Sequence, residues 1–88
     1  MFYKEGDSQM AFTFNIARHI GTIANRTDSN GAVWTRELNL VSYNGREPKL
    51  DIREWNEDHT VMSKGITLTD GEAEILARFL DDYTEGRK

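Results

Sequence analysis

Residues 33–55 read VWTRELNLVSYNGREPKLDIREW, and their alternation decides the fold. After Pro48, Lys49, Asp51, Arg53 and Trp55 fall on one side, with Leu50, Ile52 and Glu54 on the other. A period of two is the signature of a strand with one face turned toward a core. Residues 33–43 are rich in β-branched and aromatic types and read as the preceding strand. Asn44-Gly45 starts a turn between them, and Pro48 closes a short loop. The stretch is thus predicted to be two antiparallel strands, one of which sets a lysine, an arginine and a tryptophan in a single row.

Toward the N-terminus, residues 11–27 alternate at first, with Phe12, Phe14 and Ile16 on one face. The apolar parity then changes at Ile20 and Ile23, around Gly21. A bulge there would restore the facing, so one long, bent strand is expected. Asp28-Ser29-Asn30-Gly31 reads as its turn, with Asn30-Gly31 expected to supply the positive φ angles that tight hairpins need. Toward the C-terminus, residues 56–63 are a polar loop and residues 64–68, KGITL, a short fourth strand. Thr69-Asp70-Gly71-Glu72 has the form of a capping box. Ala73, Ile75, Leu76, Phe79, Leu80 and Tyr83 follow at helical spacing, and Gly86 is a natural stop.

The prediction is an α+β fold: a curved four-stranded antiparallel sheet followed by one C-terminal helix, β-β-β-β-α. One domain spans 11–85, after a lead-in over 1–10 and before a tail over 86–88. The helix is expected to bury Leu50 and Ile52. Its apolar stripe exceeds what one thin sheet needs, so Ile75, Phe79, Leu80 and Tyr83 are expected to meet a second copy in a homodimer.

A chain of 88 residues buries only about 60–65% of its unfolded surface, which also favours association. With no cysteine, disulfides and thiolate metal sites are excluded. No apolar run approaches the roughly 20 residues of a membrane span, and the N-terminal residues lack a signal-peptide core. A cytoplasmic location is expected. The net charge is −4, but six acids and one base lie within residues 70–85. The other residues hold nine acids and ten bases, so their net charge is +1.

Between 34 and 64, cations interleave with rings: Trp34, Arg36, Tyr43, Arg46, Lys49, Arg53, Trp55 and Lys64. Such interleaving suits single-stranded nucleic acid, because cations track phosphates and flat rings accept unstacked bases. Three plainer readings stand beside it. The tryptophans can be core, and Trp34 and Arg36 share parity with the core-like Leu38 and Leu40. The cations can pair with Glu37, Glu47, Asp51 and Glu54. A Trp/Arg surface also suits a protein-interaction module. His19 and His59 are 40 positions apart, without metal-ligand spacing. No phosphate loop or nucleophile arrangement points to an enzyme, a cofactor or a small-molecule substrate.

Asp51-Ile52-Arg53-Glu54-Trp55 and Lys64-Gly65-Ile66-Thr67-Leu68 resemble, in order, both halves of the core of the single-stranded-DNA-binding transcriptional coactivator family called positive cofactor four. Trp34, Arg36 to Asn39, Val41 to Asn44 and Glu47 to Lys49 resemble its compact bacterial YdbC-type branch most closely. The resemblance implies a homodimer with helices at the contact and a sheet that holds single-stranded DNA, with RNA as the alternative ligand. It also implies phosphate contacts from Arg53 and Lys64 and stacking by Trp55 and Tyr43. Trp34, Arg36 and Lys49 join them by the bacterial pattern, and Arg46 by its charge and its place in the turn. One departure is Asn56, where eukaryotic members carry a second aromatic residue. Their lysine- and serine-rich regulatory tail is also missing.

Overall fold

The computed structural model describes residues 13–86. The expected lead-in over 1–10 and the last two residues of the tail lie outside the described residues. The elements are β1 (Phe14–Thr27), β2 (Val33–Tyr43), β3 (Lys49–Asn56), β4 (Ile66–Leu68) and α1 (Asp70–Gly86). The strands form one antiparallel sheet in the order β1-β2-β3-β4. This is the predicted architecture, with α1 running one residue further, through Gly86.

Local chemistry explains each junction. Asn44 and Gly45 both take positive φ, 55° and 76°, and the Arg46 amide donates to the Tyr43 carbonyl at 3.0 Å. That is the tight primed turn that Asn-Gly favours. In the β1–β2 turn Asp28 Oδ1 accepts from the Asn30 and Ala32 amides at 2.9 and 3.0 Å, and Gly31 takes φ 85°. The capping box forms reciprocally. The Thr69 amide donates to Glu72 Oε1 at 2.9 Å, and the Glu72 amide to Thr69 Oγ1 at 3.1 Å. Gly65 lies just before β4. A Cβ there would run into the Ile52 carbonyl oxygen and the Arg53 Cβ, so only glycine lets the chain close on β3.

β1 carries three register shifts against β2, between Ile16 and Arg18, His19 and Gly21, and Thr22 and Ala24. The expected realignment around Gly21 is one of them. Their effect differs from the expectation. Ile16, His19 and Thr22, three apart, pair with Val41, Asn39 and Glu37, which share one face. Ile20 and Ile23 fall outside the paired positions and are 40% and 57% exposed.

Odd-numbered residues of β2 and β3 face one way and even-numbered ones the other. The packed core lies on the odd face. Val41, Trp55 and Met62 are buried there, with Phe14, Ile16 and Tyr43 packed against them. The β3–β4 connection turns back along the edge of β3 and sets His59 against Trp55 and Glu37 on this face. Trp55 bridges to Met62, the Asn56 amide donates to the Val61 carbonyl at 3.0 Å, and Asn56 Oδ1 accepts from the Thr60 and Val61 amides.

The even face is covered far less. Leu38, Leu40, Leu50, Ile52 and Leu68 are half-buried, and no residue of α1 is buried. The expectation that the helix seals Leu50 and Ile52 is therefore corrected. Among the strands α1 touches only β3 and β4, so it cannot roof the leucines of β2.

Candidate nucleic-acid interface

The pleat divides the expected site residues between two faces. Tyr43, Lys49, Arg53 and Trp55 lie on the odd face, and Trp34 and Arg36 on the even face. Arg46 and Lys64 stand in the connections before β3 and β4, and both are exposed.

Trp55 is 0% exposed, so it is not the open stacking platform expected of it. Its ring lies 5.2 Å from Phe14 and 5.6 Å from His59, centroid to centroid. Magnitudes decide its role. Burying a tryptophan removes about 150–250 Å² from water, worth roughly 4–6 kcal/mol. Stacking on one base returns about 1–3 kcal/mol. The ring stays in the core. Its Nε1 is buried without a hydrogen-bond partner, a debit of about 1–3 kcal/mol within that larger gain.

Arg53 is braced from within. Its Nε and one terminal nitrogen each donate to Asp51 at 2.7 Å, the other terminal nitrogen donates to the Ser63 carbonyl at 3.2 Å, and the side chain is only 14% exposed. The guanidinium sits 5.3 Å from the Tyr43 ring centre. Tyr43 donates its hydroxyl to Asp51 at 2.9 Å. Burial, and then this bond to a carboxylate, push the phenol well above its ordinary range. Asp51 itself is 0% exposed, with Arg53 and Tyr43 as its hydrogen-bond donors. Lys49 opposes Val41 at the open end of the row and is exposed.

On the even face the half-buried Trp34 donates its indole N–H to Asp28 Oδ2 at 3.0 Å. That bond, ahead of the backbone donors, holds the Asp28 carboxyl below its usual value. Arg26 lies over the Trp34 ring at 5.7 Å and makes a two-pronged bond to Glu54 at 2.8 and 2.9 Å. Arg36 reaches the same carboxylate at 3.5 Å. The Arg26 bond is the chief reason that the Glu54 carboxyl sits low. Two half-exposed guanidiniums thus share one carboxylate beside a tryptophan. Arg26 escaped the sequence reading, because β1 must be shifted in register before it faces Trp34.

Also missed was the grouping of His19, Glu37 and His59. Glu37 is 4% exposed on the odd face. Thr35 Oγ1 donates to its Oε2 at 2.5 Å and Asn39 Nδ2 to its Oε1 at 3.0 Å. His59 Nε2 lies 2.8 Å from Oε2, and His19 Nδ1 3.4 Å from Oε1. Burial pushes this carboxyl up, and the bonds from Thr35, Asn39 and His59 outweigh burial and leave it below its ordinary value. Among the described residues no three His, Cys, Asp or Glu side chains are grouped to hold a metal ion. No helix among them is long and apolar enough to cross a membrane.

The fold is a four-stranded antiparallel sheet followed by one terminal helix, with exposed cations at Arg36, Arg46, Lys49 and Lys64. The transcriptional coactivator p15 (PC4) family model matches residues 31–78, more than half of the chain. An uncharacterized protein of Treponema pallidum (strain Nichols) is 46% identical over 66 residues, covering 75% of this chain and 71% of that relative. The chain belongs to the PC4 family, a family of nucleic-acid-binding coactivators rather than enzymes.

Proposed function

We propose that this protein is a homodimer that binds single-stranded DNA with little dependence on sequence and performs no chemical turnover. Family membership over residues 31–78 carries the reading. The exposed cations Arg36, Arg46, Lys49 and Lys64 track phosphates, with Arg26 beside them on the even face. Tyr43 and Trp34 supply the rings that remain accessible at the two ends of the sheet. Arg53 serves chiefly to hold Tyr43 and the β4 approach in place, and it meets a phosphate only along its narrow exposed edge. The protein acts in the cytoplasm on melted strands during transcription, replication or repair.

The dimer reading rests on α1. Ile75, Phe79, Leu80 and Tyr83 are 47%, 65%, 54% and 64% exposed, and the half-covered Leu38 and Leu40 of β2 lie beyond the helix's own reach. A contiguous apolar surface of this kind marks an association site.

The test is a titration of labelled oligo-dT of about 20 nucleotides across a salt series, with duplex and RNA competitors. Saturable binding should weaken with salt by about 0.7 in logarithmic slope per phosphate engaged, and duplex should compete poorly. Equal competition by RNA would make RNA an equal ligand. No binding at low salt would overturn the reading in favour of a protein-interaction module.

A further inference from the structure

Glu37 poses a question of sign. It is a buried carboxylate on a face of a sheet read here as meeting a polyanion, where an acid repels phosphate. Its hydrogen bonding divides cleanly. Each oxygen receives one structural donor, Oε2 from half-buried Thr35 and Oε1 from buried Asn39. Oε2 has a second partner open to solvent, His59 at 2.8 Å and 38% exposed, whereas His19, 50% exposed, lies 3.4 Å from Oε1 and bonds instead to Asn39 Oδ1 at 2.7 Å. These side chains, with Ile16 and Thr22, line an open cleft of about 410 Å³. The cleft has a carboxylate floor with a replaceable contact from His59 at Oε2 and the Asn39 bond at Oε1, an apolar patch and two flat rings at its sides.

We propose that this cleft is a base-reading pocket that takes an unpaired guanine, with the two Glu37 oxygens accepting from the adjacent N1–H and N2–H groups of its Watson–Crick edge. The proposal rests on the single-stranded-DNA reading above. Guanine alone among the DNA bases offers two neighbouring donors on that edge. Thymine offers one N–H between two carbonyl oxygens, which a carboxylate repels. Cytosine and adenine set an acceptor nitrogen beside their amino group. On entry, guanine takes the place of His59 at Oε2 and adds a donor at Oε1, while Thr35 and Asn39 keep the carboxylate aimed and His19 keeps its bond to Asn39 Oδ1. The displaced His59 ring and the neighbouring His19 ring are of the kind on which unpaired bases stack. The result is a protein that tolerates any sequence yet favours a strand that places guanine at this point.

The experiment compares oligo-dT with the same strand carrying one central guanine or one inosine, which keeps N1–H but lacks the N2 amino group. A two-point carboxylate contact predicts about tenfold tighter binding for the guanine strand, and an inosine strand close to oligo-dT. In Glu37→Gln the guanine-to-thymine affinity ratio should fall to about one, since an amide offers a single acceptor. If that variant does not fold, NMR on the wild-type protein replaces it. The Glu37 carboxyl carbon and the His59 ring should then shift with the guanine strand and not with oligo-dT. Equal affinities for guanine and thymine strands, an inosine strand as tight as guanine, or shifts that bypass Glu37 and His59 would overturn the pocket. Failure of every strand to bind would instead overturn the DNA reading on which it rests.

Discussion

The two faces of the sheet reverse what their residues suggest. The odd face is written in acids, amides and cations, yet it holds the sealed core around Trp55 and Val41. The even face is written in Leu38, Leu40, Leu50 and Ile52, yet these leucines are only half-covered. Polar character does not by itself put a row in solvent. Asp51 is matched by Arg53 and Tyr43, and Glu37 by Thr35, Asn39 and His59, so both carboxylates are buried with partners. Apolar character does not by itself make a row a protomer's core, because β2 lies beyond the reach of α1.

The sharpest way to break this contrast is Trp55→Ala. A core ring predicts a loss of about 3–5 kcal/mol in urea unfolding, enough to unfold much of a small domain. A stably folded variant that loses only DNA affinity would make Trp55 a ligand contact and refute the sealed face.

Phe79→Asp addresses the other side. Its ring is 65% exposed, so a protomer alone should tolerate the change, whereas a subunit contact should weaken by about 2 kcal/mol or more. Sedimentation at micromolar concentration should show the wild type as a dimer and the variant shifted to monomer. A wild-type monomer would remove the partner proposed for the even face.

Gly65→Ala sharpens the link between β3 and β4. The added methyl meets backbone, which cannot swing aside, and about 1–3 kcal/mol of stability should be lost. Neutral behaviour in thermal melts would mean that the approach to Arg53 is looser than described.

Acid has the smallest effect. The folded Glu37 carboxyl titrates below its ordinary value of 4.5, so its contribution is present above that value and fades as pH falls through the lower, folded one. Stability should therefore decline below about pH 4.5, and less steeply in Glu37→Gln. An identical acid limb in the variant would show that other carboxylates govern it.

Much of the fold was legible because its signals are local. Period-two alternation marked β2 and β3, Asn44-Gly45 marked a turn between them, and Thr69 with Glu72 marked the helix start. The facing of β1 was less legible, since three register shifts replace simple alternation by a spacing of three from Ile16 to Thr22. The candidate site was legible as a set of residues but not as a surface. Parity alone separates Trp34 and Arg36 from Tyr43 and Arg53, but the fate of Trp55 depends on residues 56–63 folding back along the edge of β3. That loop reads only as polar. His19 and His59 meet at Glu37 through the same fold-back and the β1 shifts, neither of which spacing reveals.

The most direct test of the account follows backbone amides and the two tryptophan indole N–H resonances by NMR as oligo-dT is added. The account predicts saturable shifts at Arg36, Arg46, Lys49 and Lys64 and at the Trp34 indole, with the Trp55 indole unmoved. A Trp55 indole that shifts most, or a spectrum in which nothing shifts at low salt, would contradict it.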